Sequence, residues 1–153
     1  MKTNHLTFVL ITFMLGACNT PSNRDSAKEI STNEVKDMTS SCYVYANDKD
    51  TVQMSLLQLG TKVSGNLTYK LYEKDSNKGT IEGEISGDTL LANYTFKSEG
   101  ITSLRQVAFL KKGDDWVEGI GDVEGINGNV NFKNPHVLNF NNTLILKKAT
   151  CGK

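Results

Sequence analysis

Apolar residues fall into three regimes along the 153-residue chain. Residues 6–15 are an apolar block broken only by Thr7 and Thr12, and residues 19–41 are polar, rich in Ser, Thr and Asn. From Cys42 onward the hydrophobic period is two, the spacing of strands with one buried face.

Residues 42–46 and 52–59 predict a hairpin across Asn47, Asp48, Lys49 and Asp50, a cluster of turn formers. Val63, Gly65, Leu67, Tyr69 and Leu71 then alternate with polar neighbours, and Gly79 closes a polar turn. Ile81, Gly83 and Ile85 alternate with Thr80, Glu82 and Glu84, before Ser86, Gly87 and Asp88 reverse the chain. Residues 89–96 place Leu90, Ala92, Tyr94 and Phe96 on one side. Residues 101–110 carry apolar side chains on both faces, so their inward face is ambiguous.

Residues 116–123 predict one strand, with Trp116, Glu118, Ile120 and Asp122 opposite Val117, Gly119, Gly121 and Val123. Glycine along a strand face marks a bend or a close backbone approach. Short strands follow at 130–133, 137–140 and 143–148, with a break at Asn134, Pro135 and His136. The pattern predicts an all-β domain, an antiparallel meander of about eight to nine strands. A small barrel or half-barrel, lipocalin-like, is preferred to a sandwich, because the glycine-bearing faces imply strong coiling and closure removes exposed edges. A short helix over residues 26–38 rests on a thin stripe of Ala27, Ile30, Val35 and Met38.

The N-terminal block changes the picture from a free domain to an exported one. Lys2, the apolar run and the small residues Gly16 and Ala17 form a signal peptide over residues 1–17. The run is shorter than the roughly 20 residues needed to span a bilayer. Leu15, Gly16, Ala17 and Cys18 resemble a bacterial lipobox. That likeness implies cleavage before Cys18 and acylation of it, with palmitate or similar chains that together hold the protein on the membrane. The alternative is a plain secretory leader. Asn19 rather than Asp after Cys18 favours passage to the cell outer membrane, and no acidic surface-export signal appears in residues 19–26, so the periplasmic leaflet is expected. Residues 18–41 are then a tether that places the domain, residues 42–151, roughly 25 Å from the membrane.

Removing residues 1–17 takes away one basic residue of 17 and none of the 17 acidic ones, leaving 16 against 17. Without a basic run, nucleic acid is disfavoured as a partner. Cys42 and Cys151 bracket the domain, and an oxidising compartment predicts a disulfide between them, as against two free thiols. His136 is the only histidine left after cleavage, which excludes a zinc site of the usual kind. No cofactor loop, nucleophile elbow or metalloprotease motif is present, and the chain is expected to be no enzyme.

Candidate ligand-binding residues are Arg105, Glu118, Asp122, Trp116 and Tyr94. Arg105 lies mid-strand, and Glu118 and Asp122 share a face of the next one, forming either a polar floor inside a barrel or an outward ion pair. Tyr69, Tyr94, Phe96, Phe109 and Trp116 are either core or the lining of a cavity for a small apolar ligand. His136 and the pair Glu82 and Glu84 read as surface residues. The stretches around Ser26, Thr51 and Thr89, each an Asp followed by Ser or Thr and an apolar residue, resemble O-glycosylation sites of Bacteroidetes.

The phrases GNLTYKLYEKD (65–75), GTIEGEISGDTL (79–90), ANYTF (92–96), SEG (98–100) and VAFLKKG (107–113) resemble a set of small uncharacterised lipoproteins of the Bacteroidetes. The resemblance implies a lipid-anchored β domain and supplies no catalytic residue. The expected role is a non-enzymatic envelope module binding a protein, a glycan or a small ligand; the alternative is an inhibitor of a lysozyme-like enzyme or a protease.

Overall fold

The computed structural model describes residues 37–98, 100–126 and 129–152. The leader, Cys18, Ser26 and nearly all of the tether and of the expected 26–38 helix lie outside these residues. Among the described residues there are ten strands and no helix.

The first seven strands run as a meander: β1 (Thr39–Ala46), β2 (Thr51–Leu59), β3 (Lys62–Lys70), β4 (Asn77–Ser86), β5 (Thr89–Ser98), β6 (Ile101–Lys112) and β7 (Asp115–Glu118), each antiparallel to its predecessor. The last strand, β10 (Ile145–Ala149), lies between β7 and β1 and closes an eight-stranded barrel. The small antiparallel barrel expected from the sequence is therefore the fold. Two further strands, β8 (Val123–Ile126) and β9 (Asn129–Phe132), form a hairpin outside it, and Val130 of β9 pairs with Arg105 of β6 in parallel.

The turns come from local chemistry. The Asn47 side-chain oxygen accepts the Lys49 and Asp50 N–H groups at 2.8 and 2.6 Å, which sets the first hairpin. Gly87 and Gly113 begin the two-residue links β4–β5 and β6–β7 with φ of 58° and 64°, a left-handed conformation that side-chain-bearing residues resist.

Closure requires the strands to coil, and glycines on the inward face permit it. A Cβ on Gly65 would land on the Ser55 carbonyl, and one on Gly83 would meet the Leu91 carbonyl and the Ala92 Cα. The neighbouring backbones thus occupy the space a side chain would need, as glycine-bearing faces predicted.

Inside, Val52, Met54, Leu56, Leu67, Ile81, Leu90, Tyr94, Phe109, Trp116 and Leu146 belong to one buried cluster, with exposures of 3% or less. The ambiguity of β6 is resolved by register. Arg105, Val107 and Phe109 pair with Tyr94, Ala92 and Leu90, so the odd-numbered residues face inward. Ala108 and Val117 face outward, yet they are buried and stand outside the core cluster. Outside the barrel, β8 and β9 extend the edge of β6, and residues 134–141 form a second layer over the outer surface, with Leu138 and Phe140 against Gly121 and Gly119.

That layer replaces part of the expected pattern. The strand predicted over residues 116–123 ends at Glu118: buried Gly119 still donates to the Ala108 carbonyl in the β6–β7 register (2.8 Å), but Ile120 exchanges both backbone hydrogen bonds with Asn139 instead (2.9 and 2.8 Å), and Phe140 packs where a Gly119 Cβ would be. Leu138 sits likewise against Gly121. The strand expected at 137–140 is reduced to a single bridge between Ile120 and Asn139, and the final strand begins at Ile145 rather than residue 143.

The expected disulfide is present. Cys42 and Cys151 are joined with a Cα separation of 5.1 Å, and Cys42 pairs with Ala149 across the β1–β10 seam. The covalent link thus fastens the first strand to the last where the barrel closes.

Candidate functional site

Among the described residues, polar side chains gather inside the barrel and, separately, along a groove on its outer wall. The inner group follows from the alternation of β3, β5, β6 and β7, which aims Tyr69, Tyr94, Phe96, Arg105 and Glu118 at the same end of the interior. The Arg105 guanidinium carbon lies 5.0 Å from the Tyr69 ring centre, 5.3 Å from that of Phe96 and 5.5 Å from that of Tyr94. Tyr94 and Phe96 stack at 4.8 Å, and the Tyr94 hydroxyl donates to the Leu67 carbonyl at 3.0 Å. Tyr69 donates to Glu118 Oε1 at 2.6 Å.

Among the described residues no carboxylate comes within salt-bridge distance of Arg105, and its Nε is buried without a partner. Ring faces therefore carry much of its stabilisation, each contact contributing about 0.5–2 kcal/mol. Burial pushes the Glu118 carboxyl above its ordinary value, against the opposing pull of the Tyr69 hydrogen bond and the Arg105 charge. Burial and the Glu118 charge hold the Tyr69 phenol well above its usual range. Burial pushes Tyr94 up to about 12.

A raised carboxyl binds its proton more tightly in the folded state, so its contribution is fully present below the unfolded value and is lost as pH rises through the folded one. The Glu118→Gln variant removes that titration while keeping an oxygen for the Tyr69 hydroxyl. Urea midpoints measured from pH 4 to 7 are expected to fall less with rising pH in Glu118→Gln than in the native chain. Parallel profiles would mean that Glu118 is not desolvated. Asp50 and Asp115, whose carboxyls are lowered mainly by hydrogen bonds from Tyr72 and Lys147 respectively, act in the other window. Their contributions are lost only as pH falls below the ordinary Asp range.

The five candidate residues separate in space. Arg105, Glu118 and Tyr94 converge, as a polar floor requires. Trp116 pairs with Lys111, six residues along β6 from Arg105, which is about 20 Å of strand. It is 2% exposed and meets Tyr43 edge to face at 6.3 Å, as a core side chain does. Asp122 lies beyond the end of β7, exposed, with its carbonyl accepting the Lys133 N–H. The shared strand face predicted for Glu118 and Asp122 fails because the chain leaves β6 after Gly119, where Ile120 pairs with Asn139.

The outer place is a groove of about 550 Å³ between the β4–β6 wall and the segment carrying Pro135, His136 and Phe140. Glu82, Glu84, Asn93 and Gln106 line the wall side. Gln106 also ties β9 to β6, its side-chain oxygen accepting the Phe132 N–H at 3.0 Å. The loop is shaped by Asn134, whose side chain accepts the His136 N–H at 3.0 Å. A second cavity of about 530 Å³ shares Glu82, Gly83 and Glu84 and is otherwise lined by Met38, Leu57, Leu59 and Val63 among others.

In the sequence His136 and the pair Glu82 and Glu84 read as surface residues, and nothing marks Asn93, Gln106 or Phe140. They lie in distant stretches, and only the return of residues 134–141 over the outer wall joins them. The glycines at 119 and 121 were the one advance signal that something packs there.

Among the described residues no group of three His, Cys, Asp or Glu side chains could hold a metal ion. No family model, curated protein or solved structure matches the chain at a significant level.

Proposed function

We propose that the chain is a lipid-anchored module of a bacterial cell envelope that binds a partner without covalent chemistry, as expected for the Bacteroidetes lipoproteins its sequence resembles. The observation that carries this reading is the conjunction of Leu15, Gly16, Ala17 and Cys18 with a tether and a disulfide-closed barrel. Acyl chains on Cys18 would keep the domain at the membrane, on the periplasmic face of the outer membrane. The disulfide suits an oxidising compartment. The filled interior favours recognition on the outer wall over an apolar ligand in the lumen, because a ligand there would have to displace Tyr94, Phe109 and Leu67.

Cys18→Ser tests the anchor. Labelled palmitate is expected in the membrane-bound native chain and absent from the variant, which should move to the soluble fraction. Retention of the variant on membranes with no label would sink the lipid-anchor reading.

An inhibitor of a lysozyme-like enzyme or a protease is the second reading. It is favoured by Glu82 and Glu84, which form no ion pair among the described residues and lie beside the exposed Leu57 and Leu59, a surface suited to a cationic enzyme. Inhibition assays with purified chain against lysozymes and serine proteases decide between the two.

A further inference from the structure

We infer that the groove between the β4–β6 wall and the loop bearing His136 is a binding site for a neutral, hydroxyl-rich glycan. The inference rests on the binding-module reading and names the ligand class for one of its surfaces. Its volume, about 550 Å³, lies within the roughly 300–1,000 Å³ range of small-ligand sites.

The chemistry of the lining selects the class. Asn93 presents an amide that both donates and accepts, Gln106, whose oxygen accepts the Phe132 N–H, presents its NH₂ as donor, and Glu82 and Glu84 present acceptors only. Among the described residues the side chains of Glu82, Glu84, Asn93 and His136 make no hydrogen bond to the protein, so their capacity is free for a ligand. A sugar ring offers adjacent hydroxyls that donate to carboxylates and exchange both roles with amides, which matches this set group for group.

Charge narrows the class further. The groove holds two carboxylates and no Lys or Arg, so a phosphate, sulfate or uronate would meet repulsion and no fixed cation. Phe140 supplies an apolar face of the kind that covers the C–H side of a pyranose, and it is fixed in place against Gly119. The opposite wall is held by the continuous β4–β5 and β5–β6 ladders. Both sides are therefore set before the ligand arrives, which limits the ordering cost of binding.

The test is an NMR titration of the ¹⁵N-labelled mature chain, made soluble by Cys18→Ser, with N-acetylchitotetraose, maltotetraose and, as the anionic probe, tetragalacturonate. Shifts at Asn93, Gln106 and His136 with at least one neutral probe are expected, and none with tetragalacturonate. The double variant Asn93→Ala, His136→Ala should weaken that binding by about tenfold or more, equivalent to about 1.4 kcal/mol, with an unchanged urea midpoint.

No shift with either neutral sugar at millimolar concentration overturns the inference, as do shifts confined to other surfaces or stronger binding of the galacturonate. The immobilised chain, exposed to solubilised envelope, separates the two levels of failure. If neutral sugars fail and an envelope protein is still held specifically by both the native chain and the double variant, the glycan site falls and the binding module stands. If nothing is held, both fall.

Discussion

Removing the Cys42–Cys151 disulfide is expected to lower stability by about 4–5 kcal/mol and the melting temperature by about 15–20 °C. The loop it closes spans 109 positions of sequence, nearly the whole domain. Without the link the unfolded chain regains the entropy of two ends free to separate, and the chain-entropy model makes that term largest for long loops. The location adds to the effect. The seam between β1 and β10 is three residue pairs long, against eight for β1–β2 and nine for β2–β3, so the barrel is closed by its shortest ladders on either side of β10. Thermal and urea unfolding of the double variant Cys42→Ala, Cys151→Ala measures it. A loss under about 1 kcal/mol would mean that β10 holds the seam by itself and that the link serves another purpose.

Truncating Trp116 to Ala is the second large effect, expected to cost about 3–5 kcal/mol through lost burial and the cavity left behind. The indole is 2% exposed, meets Tyr43 edge to face, and sits on a strand of only four residues that must hold β10 on one edge and β6 on the other. Its ring nitrogen is buried with no hydrogen-bond partner, so Trp116→Phe surrenders volume but no polar contact and is expected to recover most of the loss. Circular dichroism in urea is the readout, since Trp116 is the only tryptophan and its fluorescence disappears with it. A cost below about 1 kcal/mol for Trp116→Ala would return this residue to the lining of a ligand space.

Much of the barrel was legible in the chain. Alternation over residues 63–71, 81–85 and 89–96 placed each strand and its buried face, because a strand's side-chain direction depends only on position along it. Turn residues located the reversals for the same local reason. The inner site was legible in part: Arg105, Glu118 and Tyr94 were identified, and they meet. Asp122 joins them only if residues 116–123 form one straight strand, which ends when Ile120 pairs with Asn139, and Trp116 is a candidate only as cavity lining, whereas it is a core side chain at the far end of β6 from Arg105.

What the sequence determined by itself is the set of local choices: a period of two, glycines where chains must turn or touch, and cysteines at the two ends of the domain. What only the tertiary structure decided is which way β6 faces, where the chain goes after Glu118, and which distant residues share the outer groove. The physical reason is that these depend on pairings between remote segments. Both faces of β6 are apolar because one packs the barrel and the other lies under the second layer. Nothing within β6 distinguishes them until Phe140 and Leu138 fill the spaces left by Gly119 and Gly121.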